Sequence, residues 1–321
     1  MTTVHDDRPH PIPPFAYLRY KENYFFIILA EKCRVYGVSH LNFEPGFDRA
    51  RFTCNLCVDG ELIKYGNETR LPTTFELAEE IGDGHLTLKF TEPHQRFDLS
   101  LASDDVDMTL SFKKRFPTFD YAACRTAAPE MANFQEVLTF GLNLPYNHQQ
   151  QSMNLDGSIT VRRTGKTKRI DGVGYRDHSW VMRADHVVAE HSWCAFNFAD
   201  RAFGIKMIST LHRPNAPGRE GYVGDKDGVR ALRSIDVRFE GDGPDGQPAT
   251  VVHDVADVYG NRYTIQSDIA GRLGHVPLLS EAAGHKPAYL VVENFVHSVL
   301  LQTGEQGIAL VELGRNPLTE K

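Results

Sequence analysis

The chain has 321 residues, 35 of them Lys or Arg and 42 Asp or Glu, for a formal charge of −7. That acidic balance argues against a nucleic acid or an anionic membrane surface as partner, because both need a basic face to displace counterions. Hydrophobic residues at 41%, with 19 Phe and 12 Tyr, supply ample surface for a globular core and exclude a disordered chain.

The first 15 residues, beginning MTTVHDDRPHPIPP, are polar and Pro-rich. They are expected to form a flexible arm or an edge-capping strap, and they show no apolar h-region of a secretory signal. The longest apolar run, Tyr24–Ala30, has seven residues, far short of a bilayer span, so membrane insertion is not expected. Five cysteines, Cys33, Cys54, Cys57, Cys124 and Cys194, form an odd, sparse set that fits reduced thiols in a cytoplasmic protein. Cys54 and Cys57 make a C-x-x-C, but RFTCNLCVDG reads as a strand entering an Asp-Gly turn, where a redox pair would open a helix.

Asp-Gly occurs at 59–60, 83–84, 156–157, 171–172, 227–228, 242–243 and 245–246, and such pairs favour the hairpin turns whose positive φ matches strand twist. Between them lie short runs of period-2 alternation: Tyr24–Leu29, Arg51–Cys57, His85–Phe90, Phe97–Leu101, Met108–Phe112, Ser158–Arg163, Ala202–Ile208, Ser234–Phe239, Arg262–Ser267, Tyr289–Phe295 and Ala309–Leu313. Helical patterning is confined to Thr74–Ile81 and Pro129–Leu138. The fold class is therefore all-β, with barrels or sandwiches favoured over βαβ units. A boundary is expected between Phe116 and Leu144, giving an arm over 1–15, a domain over 16–140 and a second over 141–321.

The densest polar cluster is GVGYRDHSWVMRADHVVAEHSW, Gly172 to Trp193, which holds both tryptophans. On a strand Tyr175, Asp177 and Ser179 share one face and Arg176, His178 and Trp180 the other. An inward Asp177 among aromatics would be desolvated and kept protonated, as an acid. The alternative is a polar plug, with Arg176 and Asp177 paired to neighbouring strands and Trp180 in the core. His178, His186 and His191 are spaced by eight and five, which fits no standard metal motif, so no metal is expected. No dinucleotide, P-loop or nucleophile-elbow pattern occurs. Near the end, Glu293, His297 and Glu312 alternate with Val, Phe and Leu and could point into a barrel. There a buried carboxylate must be paired or protonated, with Arg176 and Arg183 as possible partners.

The GYRDHSW segment resembles the D-H-x-W signature of the carotenoid 1,2-hydratase and AttH-like superfamily, which also holds lipocalin-like Diels–Alderases. The segment more closely resembles a bacterial branch with H-Y-E-Q, a Gly hairpin and then G-x-x-R-D-H-S-W-G-x-R. Here these read His148-Gln149-Gln150-Gln151, Asp156-Gly157, and Gly172 through Arg183. The Tyr and Glu of the first motif are Gln149 and Gln150, and the Gly after Trp180 is Val181. The Tyr-x-Asp of the hydratases has no counterpart beyond Phe198-Ala199-Asp200. The resemblance implies two packed lipocalin-like β-barrels, the second carrying Gly172–Arg183, with a ligand cavity near their interface.

The function so implied is a cofactor-independent enzyme of lyase or isomerase type, acting on an apolar terpenoid or polyketide-like molecule by acid-catalysed hydration, dehydration or cyclisation. Asp177 is the expected proton donor, with His178 orienting it. Tyr175, Trp180 and Trp193 would line the cavity and steady developing positive charge, with Tyr146, His148, Glu293 and His297 as further walls. A pericyclase that only folds its substrate, and a hydrophobic-ligand carrier without chemistry, are the alternatives.

Overall fold

The computed structural model describes residues 7–72, 75–128, 146–182, 188–211, 213–280 and 289–316. Period-2 patterning yields strands throughout: β1 Tyr20–Ala30, β2 Val35–Glu44, β3 Arg49–Val58, β4 Glu61–Thr69, β5 Glu80–Gly82, β6 Leu86–Glu92, β7 Arg96–Ala102, β8 Val106–Lys114, β9 Phe119–Asp120, β10 Tyr146–Val161 and β11 Lys166–Met182. They continue with β12 Val188–Asn197, β13 Arg201–Thr210, β14 Arg213–Asp225, β15 Gly228–Asp242, β16 Pro248–Asp257, β17 Arg262–Asp268, β18 Gly274–Ser280, β19 Tyr289–Leu300 and β20 Glu305–Arg315. One short α-helix, α1 Ala122–Ala127, occurs among the described residues. The expected strands all fall on observed ones, except that the last two residues of Ser158–Arg163 enter the turn after β10 and that His85 lies in the bend before β6.

The chain divides into two compact units, Met1–Thr118 with Tyr146–Arg183, and Phe119–Pro145 with Ala184–Lys321. In the first, the strand order is β4-β3-β2-β1-β11-β10-β8-β7-β6-β5. One face of this open half-barrel gathers Phe26, Phe43, Phe52, Phe97 and Phe112, contributed from both of its halves. Phe26 and Phe112 meet edge-on at 4.8 Å. Burying each such ring is worth about 1.5–3 kcal/mol. In the second unit the order β17-β16-β15-β14-β13-β12-β20-β19 closes into an eight-stranded ring, because β17 pairs back onto β19. Its interior holds Cys194, Phe196, Phe203, Val223, Val251, Ile265, Val296 and Val311.

Four expectations are corrected. The Gly172–Arg183 motif does not start a C-terminal barrel: β11 lies between β1 and β10, so the β10–β11 hairpin fills the gap between β1 and β8 in the first unit. Nor is the stretch after residue 6 a free arm, since Asp7 is fully buried and Ile12 N–H donates to Glu76 Oε1 at 3.1 Å. Over Thr74–Ile81, residues 75–79 form turns and bends, and Ile81 pairs with Leu88 in a ladder; strand pairing overrides the helical spacing. The Pro129–Leu138 helix lies outside the described residues. Asp156-Gly157 is not a turn either. It sits inside β10 opposite Ile170 and Asp171, and a Cβ on Gly157 would meet Thr109 O at 2.1 Å. This glycine serves close strand approach. Asp59-Gly60 is the expected hairpin turn, with φ of 53° and 88°.

Candidate active site

Alternation along β11 sets out two chemically different faces. Tyr24 lies opposite His178, and Phe26 opposite Arg176. These residues share the face that holds the apolar cluster. Asp177, Ser179 and Tyr175 lie on the other face, level with Phe25, Asn23 and Ile27 of β1 and with Gln150, His148 and Ser152 of β10. All three are buried, at 7%, 1% and 0% exposure. The predicted pairing of Asp177 with His178 is therefore not formed, because consecutive strand residues point to opposite faces.

On the outer face, the Asp177 carboxylate bonds to His148 Nε2 across the β11–β10 ladder, both groups being buried. Ser179 Oγ accepts a hydrogen bond from Asn23 Nδ2 at 3.3 Å beside them. On the core face, Arg176 is the polar plug: its guanidinium ion-pairs with the buried Asp7 at 2.9 Å. The same group donates to His94 Nδ1, Thr118, Gln149 and Gln151 at 3.0–3.4 Å and lies 5.1 Å over the Phe97 ring. Neither Glu293 nor Glu312 is its partner.

The core face also carries a group with no precedent in the sequence reading. Glu22, fully buried, accepts from His178 Nε2 and His10 Nδ1, both at 2.8 Å, from the Tyr20 and Tyr24 hydroxyls at 2.9 and 3.1 Å, and from the His10 N–H at 3.1 Å. Burial alone would raise the Glu22 carboxyl; the His10 and His178 hydrogen bonds outweigh it and hold the group at about 2. Burial in turn lowers His178 despite the adjacent Glu22 charge. Trp180 stacks on His10 at 4.1 Å and packs with Ala16 and Tyr20, so it is core. Next to it Val181 has φ of 94°, a strained setting for a β-branched residue. The ligand atoms of His10, Glu22 and His178 lie within 4.8 Å of one another and could hold a metal ion. Hydrogen bonds to both carboxylate oxygens already account for the arrangement. The signal that could have found Glu22 is the alternation Tyr20, Glu22, Tyr24, Phe26, which puts it on the core face.

In the second unit, Glu293 of β19 lies directly opposite Glu312 of β20, and Glu312 opposite Trp193 of β12. His191 Nε2 bonds to Glu312 Oε1. The row continues to Lys206 and Glu220, which ion-pair at 3.2 Å. Neither glutamate points into the barrel; alternation puts both on the face opposite the apolar interior, where Cys194 and Val311 point. Burial, then the charge of Glu312 and a hydrogen bond to it, raises the Glu293 carboxyl well above its ordinary range. Trp193 is half-buried and His297 exposed. Tyr146 opens β10 opposite Val181, and its side chain is outside the described residues, as is His186. Phe198-Ala199-Asp200 forms a bend whose last two residues are exposed, as expected of a turn.

The two sheets, one open and one closed into an eight-stranded ring, make this an all-β protein whose fold is shared by several solved structures. Kievitone hydratase from Nectria haematococca superposes with a TM-score of 0.63 at 13% identity, covering 98% of this chain and 92% of that one. A protein assigned as AttH from Nitrosomonas europaea gives 0.61 at 14%, covering 98% and 99%. CghA in complex with Sch210972 gives 0.64 at 10%, covering 98% of each. At these identities the likeness is one of fold. Residues 3–317 match the family described as Domain of unknown function (DUF7064), and the chain belongs to that family. No curated protein matches the sequence. No helix among the described residues is long and apolar enough to cross a membrane.

Proposed function

We propose that this protein is a cofactor-independent enzyme of lyase or isomerase type that moves a proton on an apolar, terpenoid or polyketide-like small molecule. The observation that carries the reading is the buried Asp177–His148 pair, held in one hydrogen bond on the sheet face opposite the apolar core. A carboxyl and an imidazole sharing one proton can give it to an alkene carbon or a departing hydroxyl, and the same pair can take a proton back from the neighbouring carbon. Hydration, dehydration and cyclisation each need that sequence. His148 replaces His178 as the partner that orients Asp177, while Tyr175 and Ser179 flank the pair on the same face.

The fold that this chain shares with a hydratase and with CghA supports small-molecule chemistry by analogy. The carrier reading is less favoured, because the interior of the closed barrel is taken up by Phe196, Phe198, Phe203 and their neighbours packed on one another. The test is incubation of the purified protein with apolar extracts of its source cells, followed by mass spectrometry. The expected result is a compound that gains or loses one water, or isomerises, with Asp177→Asn and His148→Ala each lowering turnover by about 100-fold or more. Full turnover by Asp177→Asn would remove the acid reading and leave a pericyclase, whose catalysis is positional.

A further inference from the structure

The second unit holds a buried acid that the Asp177–His148 reading does not use. Glu293 is 1% exposed, whereas the side chains of Glu312 and His191 are 17% and 16% exposed. The three groups thus lead inward from a partly wet imidazole, through one carboxylate, to a dry carboxyl. Among the described residues of the row, Lys206 is the one that carries a permanent positive charge. Lys206 is bound to Glu220, and its ammonium lies 3.5 Å from the Tyr121 ring centroid; on the other side of Glu293 stands the apolar Val276 of β18. Two carboxyls in hydrogen-bond contact cannot both ionise, so they hold one proton between them, and burial assigns it to Glu293. One oxygen of Glu293 faces Glu312. The other, Oε2, is buried without a hydrogen-bond partner, a costly state for a polar atom that a ligand would relieve.

We propose that Glu293, Glu312 and His191 form a proton-donating site for a neutral molecule bearing a hydroxyl or carbonyl oxygen, in the row where Trp193 stands next beyond Glu312. The ligand oxygen seats at the unpartnered Oε2 of Glu293. The acid proton passes to that oxygen, leaving Glu293 as carboxylate; where the oxygen is a tertiary or allylic hydroxyl, the C–O bond breaks, water leaves, and the carbocation loses a proton from its neighbouring carbon to solvent, giving an alkene. Two adjacent carboxylates then draw a replacement proton from solvent through His191 and Glu312. Alcohol becomes alkene and water, with no net change in protons or electrons. An anionic ligand is rejected, because it would add a second negative charge beside that of the Glu293–Glu312 pair. The site belongs to the second unit, and the inference stands whether or not Asp177 is the acid of the main reaction.

Two measurements test it. Difference infrared spectroscopy of wild type against Glu293→Gln at pH 7 should show one protonated-carboxyl band that the variant lacks. In His191→Gln that band should persist but exchange its proton for deuterium about tenfold more slowly, as expected when an acid–base relay group is removed. Trp180→Phe leaves Trp193 as the single tryptophan of the chain, so its fluorescence reports binding of benzyl alcohol, toluene and benzoate as probes. In that background benzyl alcohol should bind more tightly than toluene, benzoate should not bind, and Glu293→Leu should weaken benzyl alcohol about fivefold, the worth of one neutral hydrogen bond. Absence of the carboxyl band in wild type, unchanged exchange in His191→Gln, or alcohol binding indifferent to Glu293→Leu would each overturn the proposal. Circular dichroism of each variant separates loss of the site from loss of the fold.

Discussion

Glu22 in the first unit and Glu293 in the second are both buried strand glutamates, at 0% and 1% exposure, yet their carboxyls are shifted in opposite directions. Glu22 sits among donors: two imidazoles, two phenols and a backbone amide converge on its oxygens, and it stays ionised. Glu293 meets another carboxylate instead and keeps its proton. Burial pushes both carboxyls the same way, so the hydrogen-bond partners decide the outcome. An anion held this firmly is poorly placed to donate a proton, whereas a neutral carboxyl with an unpartnered oxygen is better placed to do so. The comparison therefore separates a structural carboxylate from a chemical one.

The largest test of that contrast makes a third buried acid resemble Glu293 without its shared proton. Arg176→Met strands the Asp7 carboxylate, and breaking a buried pair in this way should cost about 3–5 kcal/mol in urea unfolding. Glu22→Gln should follow at about 3 kcal/mol, because an amide nitrogen then replaces one of the two oxygens on which the Tyr, His and backbone donors converge. Lowering the pH should do to Glu22 what the substitution does. Its folded value of about 2 lies below the ordinary 4.5, so its contribution is complete above 4.5 and is lost as pH falls toward 2, about 3 kcal/mol in all; the gap between wild type and Glu22→Gln should close over that window. Glu293→Gln, measured at pH 5, should be the mildest, within about 1 kcal/mol of wild type, since a neutral amide replaces a neutral acid of nearly the same shape.

Much of the fold was legible in the chain, because strand alternation and hairpin glycines are local signals. The face assignment of Tyr175 through Trp180 followed from period 2 alone, and Asp59-Gly60 turned where its chemistry says it should. Asp156-Gly157 misled because a glycine that admits a neighbouring strand looks the same in sequence as one that makes a turn. Partners were legible only within a strand. That His178 bonds Glu22 depends on β1 pairing with β11, which joins residues 156 positions apart, whereas Asp177 meets His148 only 29 positions away, through the register of the long β10–β11 hairpin. Glu293 and Glu312 stood out as costly carboxylates among apolar neighbours, but their register against each other, and the face they occupy, needed the closed ring.

The most direct test is the free energy of unfolding of wild type and Glu293→Gln as a function of pH from 5 to 9. Glu293 is raised in the folded state, so its neutral form stabilises the fold below about 4.5, and that contribution is lost as pH rises. Wild type should therefore fall behind the variant by about 1.4 kcal/mol per pH unit above 4.5, levelling off where the folded carboxyl finally ionises. Parallel pH profiles for the two proteins would mean that Glu293 is ionised like Glu22, and would contradict the account.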